Sequence, residues 1–279
     1  MNDPLRPTRS EALTAWANRV RANRDQAEAY REGEPPKDFY APMAASFRAD
    51  PLRTDEPALD ALRNLVLPGE TWLDIGAGGG RYAALALAQK AVRQGRRGFR
   101  TVGGDALSPG DGMTQYGISN IELIPATWPL EPPPAVDVAF ISHVGYDIED
   151  IGPFLDAMER AASRLCVAVL LYEAPASVAA GAWPPVHGVE RAVLPALPEF
   201  LTLLLARGKT PEIRLAGVRG PALYDDAEVA RRFLRHQLFI QEGGAKDALL
   251  AAWLESHRTT EGIRIADHPL PIGVVTWSP

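Results

Sequence analysis

The stretch Trp72-Leu73-Asp74-Ile75-Gly76-Ala77-Gly78-Gly79-Gly80-Arg81 decides the architecture. The apolar run Thr71–Ile75 reads as a buried strand, and the apolar periodicity of Arg81–Gln94 reads as a helix. The turn between them carries four glycines in five positions. Glycine adopts positive φ without steric penalty and lets backbone amides approach a ligand, while the helix that follows presents unpaired N–H groups. A glycine turn can also be a plain strand-to-helix connection. This density of glycine favours a site for something small and polar, of nucleotide type.

Outward from that turn, short apolar runs alternate with helical periods. Strands are expected at Arg100–Gly103, Ile121–Ile124, Val136–Ile141 and Leu165–Tyr172, with a short helix at Asp111–Gly117 and a longer one over Ile151–Ser163. This rhythm implies an α/β fold built on a doubly wound, mostly parallel sheet. A helix near 198–207, a strand near Ile213–Leu215, helices near 226–240 and 245–258, and a last strand Ile272–Trp277 complete the chain. Before the first strand, Ser10 is the expected cap of an amphipathic helix over 11–30, and a second helix runs from about Glu56 to Leu67. The division expected is an N-terminal helix and lid segment over 1–57 and a main domain over 58–279. Within the latter, 174–198 forms a Pro- and Gly-rich pocket loop and 225–260 a helical insertion.

Composition bounds the function classes. Of 279 residues, 46% are hydrophobic and 23% charged, an ordinary globular mixture that disfavours disorder, collagen-like fibres and coiled coils. The 24 glycines and 25 prolines call for many turns. One cysteine, Cys166, excludes an internal disulfide and a multi-thiolate zinc site. The N-terminal residues lack an apolar signal region, and nowhere are there ~18 uninterrupted apolar residues, so a cytoplasmic protein that neither spans nor enters a membrane is expected. With 29 basic against 35 acidic residues the net charge is −6, which does not attract polyanions. The basic clusters Arg93–Arg100 and Arg231–His236 are expected as solvated surface, and no zinc-finger or RNA-binding signature accompanies them, so no nucleic-acid partner is expected. The oligomeric state is left open.

The ligand's charge can be read from its surroundings. A dinucleotide fingerprint G-x-G-x-x-G requires glycine where this chain has Arg81, and Asp105 lies 29 positions after Gly76, against ~20 in that fingerprint. Asp74, just before the loop, repels a pyrophosphate and attracts an ammonium or sulfonium group. A nicotinamide-dependent oxidoreductase is therefore disfavoured.

An acidic residue followed by G-x-G-x-G, here Asp74 with Gly76, Gly78 and Gly80, resembles the first motif of the class I S-adenosylmethionine-dependent methyltransferases. The resemblance runs from about Thr71 to Tyr172. It includes Val102-Gly103-Gly104-Asp105, similar to the second-strand motif whose acid binds the ribose hydroxyls, and Ser108-Pro109-Gly110-Asp111-Gly112-Met113, similar to a lengthened S-P-x-M turn. Asp137–His143 resembles the fourth motif. Many relatives read G-D-A after the third strand, with an acid on the adenine amine. This chain has Pro125-Ala126-Thr127-Trp128, which leaves that contact to Thr127 or to backbone near Ala126. Trp128 is either a neighbour of the adenine or core packing. The resemblance implies a Rossmann-like core of seven strands, S-adenosylmethionine as cofactor, and a cofactor site formed by Asp74, Gly76, Ala77, Gly78, Gly80, Asp105, Ala126, Thr127, Ser142 and His143. It places His143, Val144, Tyr146 and Asp147 around the reaction centre, and by resemblance alone Phe39 and Tyr40 become lid residues.

A sulfonium methyl is already electrophilic, so methyl transfer needs chiefly alignment of a nucleophile and exclusion of water. Where the acceptor is a hydroxyl or a protonated amine a base is useful, and His143 is the candidate base or positioning residue; the other reading is a hydrogen-bonded histidine at a strand end. Tyr40, Tyr146, Trp183 and His187 are the candidate contacts of a small-molecule acceptor, with plain loop packing as the alternative for Trp183 and His187. His143 and Asp147 lack a third ligand of metal type, so no metal is expected. A non-catalytic cofactor-binding or partner subunit on the same fold is the alternative to an enzyme.

Overall fold

The computed structural model describes residues 6–35, 56–76, 99–102, 121–220, 222–266 and 269–279. The expected helices at 81–94 and 111–117, and the residues Phe39, Tyr40, Ala77, Gly78, Gly80 and Asp105, lie outside the described residues.

Helix α1 (Arg9–Tyr30) begins at Thr8 instead of Ser10. The Thr8 hydroxyl accepts the Glu11 N–H (3.3 Å) and the Glu11 carboxylate accepts the Thr8 N–H (2.8 Å), a reciprocal box that Ser10, with Leu13 three residues on, cannot form. Helix α2 (Pro57–Leu65) starts on a proline, where a missing N–H costs nothing, and buries Ala58, Leu59, Ala61 and Leu62.

The strands that follow are β1 (Trp72–Ile75), β2 (Phe99–Val102), β3 (Ile121–Ile124) and β4 (Val136–Ser142). After helix α3 (Ile151–Ala161) comes β5 (Ala162–Leu171). The helix ends two residues earlier than its period suggests and the strand begins three earlier, because polar side chains tie this stretch to the sheet. Ser163 donates to Asp137, and Arg164 reaches Glu70 and the Leu65 carbonyl. The 174–198 segment is not an open loop: it contains a 3₁₀ helix (Pro175–Ala182), α4 (Trp183–His187) and the start of α5 (Leu197–Ala206). Beyond lie β6 (Glu212–Arg219), β7 (Ala222–Tyr224), α6 (Ala227–Leu238), α7 (Ala245–Ser256), β8 (Arg258–Thr259), β9 (Gly262–Ala266) and β10 (Leu270–Trp277).

The main sheet has the order β3-β2-β1-β4-β5-β10-β6, with neighbours parallel from β3 to β5 and β10 antiparallel to both of its neighbours. Strict alternation along each central strand divides the core in two. Leu73, Ile75, Ala139, Ile141, Ala168, Leu170, Val275 and Trp277 face one side, where Trp16, Phe154 and Phe200 cover them. Trp72, Val138, Phe140, Val167, Val169, Ile272 and Val274 face the other, under α2. Strands buried on both faces are the reason these runs are almost wholly apolar.

A separate three-stranded sheet, β7-β9-β8, joins α6, α7, the 3₁₀ helix and α4 in a third apolar cluster. Its strands span two to five residues and carry no periodic signal, so sequence reading missed them. The Arg231–His236 cluster is not simply solvated. Arg231 and Arg235 both donate to Asp247, which is 1% exposed. No helix among the described residues is long and apolar enough to cross a membrane.

Candidate functional site

The chain steps from β1 out to β3 on one side and returns to β4 on the other, so the order reverses between β1 and β4. The loops leaving the carboxyl ends of two such strands diverge and open a crevice, the usual ligand position in an open α/β sheet. Gly76 stands at one lip of this crevice, and Ser142, His143 and Val144 at the other, since Ile75 pairs in register with Ile141.

Gly76 has φ +75°, and a Cβ there would lie 2.8 Å from Val144 Cγ2. Both the backbone angle and the close approach demand glycine. Asp74 is 5% exposed and shares the Trp72 face of β1. An ionisable group that deep in a sheet is retained only where something polar engages it. Ser142 ends β4 with its hydroxyl buried and without a hydrogen-bond partner among the described residues. Leaving a buried hydroxyl without a partner costs about 1–3 kcal/mol.

His143 adopts φ +54°, an uncommon left-handed conformation for a side chain-bearing residue. Its N–H donates to the Val169 carbonyl (2.9 Å), which fixes the backbone, and its Nδ1 lies 3.2 Å from the Tyr146 hydroxyl. That hydroxyl accepts the Leu171 N–H at 2.8 Å. The ends of β4 and β5 are thus joined through one phenol, with a half-buried imidazole attached. Tyr146 is only 5% exposed and packs in the first core cluster, where its hydroxyl supports the His143 ring.

Helix α1 braces the turn that follows. Trp16 Nε1–H donates to the Ile148 carbonyl (2.9 Å), and Arg21 and Arg24 each meet Glu149 at 2.6 Å. Asp147 is exposed, and among the described residues no three His, Cys, Asp or Glu side chains gather as a metal site. After β3, Thr127 is exposed and Ala126 half-buried. Trp128 donates to the Phe154 carbonyl (3.2 Å) and contacts its ring edge-on, so core packing is its role.

For Trp183 and His187 the structure shows the packing arrangement. Trp183 is 1% exposed in the third cluster, and the His187 Nε2–H donates to the Leu238 carbonyl at 3.0 Å. They form a packed floor instead of the wall of an open pocket. Burial is the main influence on His187 and lowers its pKa, followed by the Leu238 carbonyl, which raises it. What the sequence concealed is Arg191, stacked on that floor with its guanidinium carbon 4.0 Å from the Trp183 ring. The only hint was its place just past the Trp-Pro-Pro-Val-His run.

No family model matches the chain, and no curated protein matches it either. Solved structures do. A methyltransferase candidate from Bacillus halodurans is similar with a TM-score of 0.54 at 12% identity, covering 79% of this chain and 98% of its own. A methyltransferase from Geobacter sulfurreducens, solved with S-adenosyl-L-homocysteine, has a TM-score of 0.51 at 15% identity, covering 88% of this chain and 99% of its own. The YcgJ protein of Bacillus subtilis has a TM-score of 0.51 at 14% identity, covering 79% and 97%. The likeness is one of fold: this chain has the Rossmann-like α/β fold found in class I S-adenosylmethionine-dependent methyltransferases.

Proposed function

We propose that this chain, with its methyltransferase fold, binds S-adenosylmethionine at the carboxyl ends of β1 and β4 and transfers its methyl group to a small-molecule acceptor through an oxygen, nitrogen or carbon nucleophile. The observation that carries the reading is the reversal of strand order between β1 and β4, at whose carboxyl ends Gly76 fits against Val144, Asp74 is buried and the Ser142 hydroxyl has no partner among the described residues. These features suit a ligand that is polar, close to the backbone and cationic at one point.

When bound, S-adenosylmethionine supplies an electrophilic methyl. The chain's part is to orient and to keep water out, and alignment alone is worth about 7–11 kcal/mol of barrier. Asp105 is assigned to the ribose hydroxyls, Ala77, Gly78 and Gly80 to close backbone contact, and Ala126 and Thr127 to the adenine, all by resemblance. His143 holds a proton-accepting or proton-donating nitrogen at the crevice, oriented by its Nδ1 contact with Tyr146.

Calorimetric titration with S-adenosylmethionine and S-adenosylhomocysteine, with NADH as control, tests the cofactor. Micromolar binding of the first two is expected, and Asp105→Ala is expected to weaken it by about 1–3 kcal/mol. A folded protein that binds neither ligand overturns the reading in favour of a non-catalytic role. With an acceptor in hand, His143→Ala is expected to lose rate while retaining cofactor affinity.

A further inference from the structure

Arg191 is a half-buried cation with no acidic partner among the described residues. Its Nη1 donates to the Asn23 carbonyl (3.3 Å) and Gln26 Oε1 (2.9 Å), and its Nη2 to Asn23 Oδ1 (3.1 Å). All three acceptors are neutral. Asn23 takes one hydrogen from each Nη, which leaves the Nε edge of the guanidinium without an acceptor among the described residues.

The neighbouring cations are matched. Arg31, 4.5 Å over the Phe239 ring, pairs with Glu28 at 2.7 Å, and Lys246, 5.8 Å over the Tyr30 ring, pairs with Glu32 at 3.6 Å. Among the described residues, the cluster of Tyr30, Trp183, His187 and Phe239 therefore carries one uncompensated positive charge. Burial lowers the Arg191 pKa to about 10 with nothing offsetting it, yet the group stays charged at neutral pH. A separate observation concerns the same rings, since the Trp183 Nε1–H is buried without a hydrogen-bond partner among the described residues. Buried donors without partners are rare, and this one lies in the ring that the Arg191 guanidinium covers.

We infer that the Nε edge of Arg191, standing on Trp183 and Phe239, is an oxyanion subsite that takes the carboxylate of an organic monocarboxylate. One unmatched positive charge suits one negative charge, and the flat edge of a guanidinium matches the two oxygens of a carboxylate. The segment bearing Arg191 follows β5, which ends at the same edge of the sheet as Gly76 and His143. Taking the bound acid as the methyl acceptor is the one part of this inference that rests on the methyl-transfer reading.

The full chain is titrated with sodium benzoate, sodium acetate and inorganic phosphate, against sodium chloride at matched ionic strength. Tryptophan fluorescence and the thermal midpoint are read for the wild type, Arg191→Gln and Arg191→Lys. Saturable benzoate and acetate responses are expected in the wild type, weakened about tenfold or more by Arg191→Gln and less by Arg191→Lys. Should Arg191→Gln not fold, Trp183→Phe keeps the ring and removes the orphaned N–H, and is expected to weaken benzoate several-fold. Identical responses to benzoate and chloride, or equal binding by wild type and variants, would reduce Arg191 to a tie between α1 and its loop and overturn the subsite. Saturation by phosphate alone overturns the carboxylate assignment. Calorimetry with S-adenosylhomocysteine on the same samples separates the two ideas: benzoate binding without it sinks the methyl-transfer reading and leaves the subsite standing.

Discussion

Replacing Asp247 by asparagine is expected to unfasten the accessory cluster formed by α6, α7 and the small sheet. Its carboxylate is 1% exposed and accepts four hydrogen bonds at 2.8 Å, two from Arg231, one from Arg235 Nε and one from the Gly243 N–H. Burial alone would raise its pKa, but the Arg231, Arg235 and Gly243 donors outweigh it and hold the group at about 2. Against an ordinary value near 3.9, that is roughly two units, or about 2.6 kcal/mol of preference for the charged form in the folded state. Removing one partner of a buried ion pair costs ~3–5 kcal/mol, and asparagine keeps one acceptor, so a loss of about 2–4 kcal/mol at pH 7 is expected. The folded pKa is depressed, so the contribution is fully present above the unfolded pKa and is lost as pH falls. The ionisation-linked part of the difference between wild type and variant should shrink from about pH 4 and fall to a few tenths of a kcal/mol near pH 2. Urea denaturation read by fluorescence, which includes Trp253 on α7, measures both quantities. A loss below about 0.5 kcal/mol at pH 7, or a difference flat from pH 5 to 2, refutes the reasoning.

Gly76→Ala adds left-handed strain to a clash with Val144, so a cost of about 2–4 kcal/mol is expected, with the steric part recovered in a Val144→Ala background; additive single and double variants would contradict the contact. Tyr146→Phe strands the Leu171 N–H in the core and is expected to destabilise by about 1–3 kcal/mol in chemical denaturation, and a neutral result would show that this amide finds another acceptor. Burial pushes the Cys166 thiol up to about 12, so it stays protonated in the folded chain through pH 8 and iodoacetamide labelling should proceed only as fast as unfolding; rapid labelling of native protein would show that β5 is accessible.

The central strands were legible because they are buried on both faces. Thr71–Ile75 and Val136–Ile141 admit few readings once helices flank them, and the glycine at 76 could be assigned because its φ is a local demand. The N-cap was misplaced by two residues because Ser10 and Thr8 are alike in type and only the Glu11 spacing separates them. Beyond β5 the reading weakened for a different cause. Trp183, His187 and Arg191 take their meaning from α1 and α6, which are more than a hundred and some forty residues away in sequence, and no local period encodes that meeting. The tie that the Tyr146 hydroxyl makes to the Leu171 N–H is not legible in the sequence, because only the β4–β5 geometry brings the two together.

Arg219 and Leu270 face each other as partners at the ends of β6 and β10. Fifty residues thus leave and re-enter the main sheet at adjoining points, as an ornament hung from the tip of a hairpin. Such an ornament can be lengthened, shortened or exchanged without altering the strand order beneath it. It is not wholly portable, however, because Ala179, Ala182, Trp183 and Val186 contribute to its core from a second place in the chain. Any graft onto another scaffold must carry residues 175–187 as well, and Arg191 with them if the ornament is to bring its anion preference along.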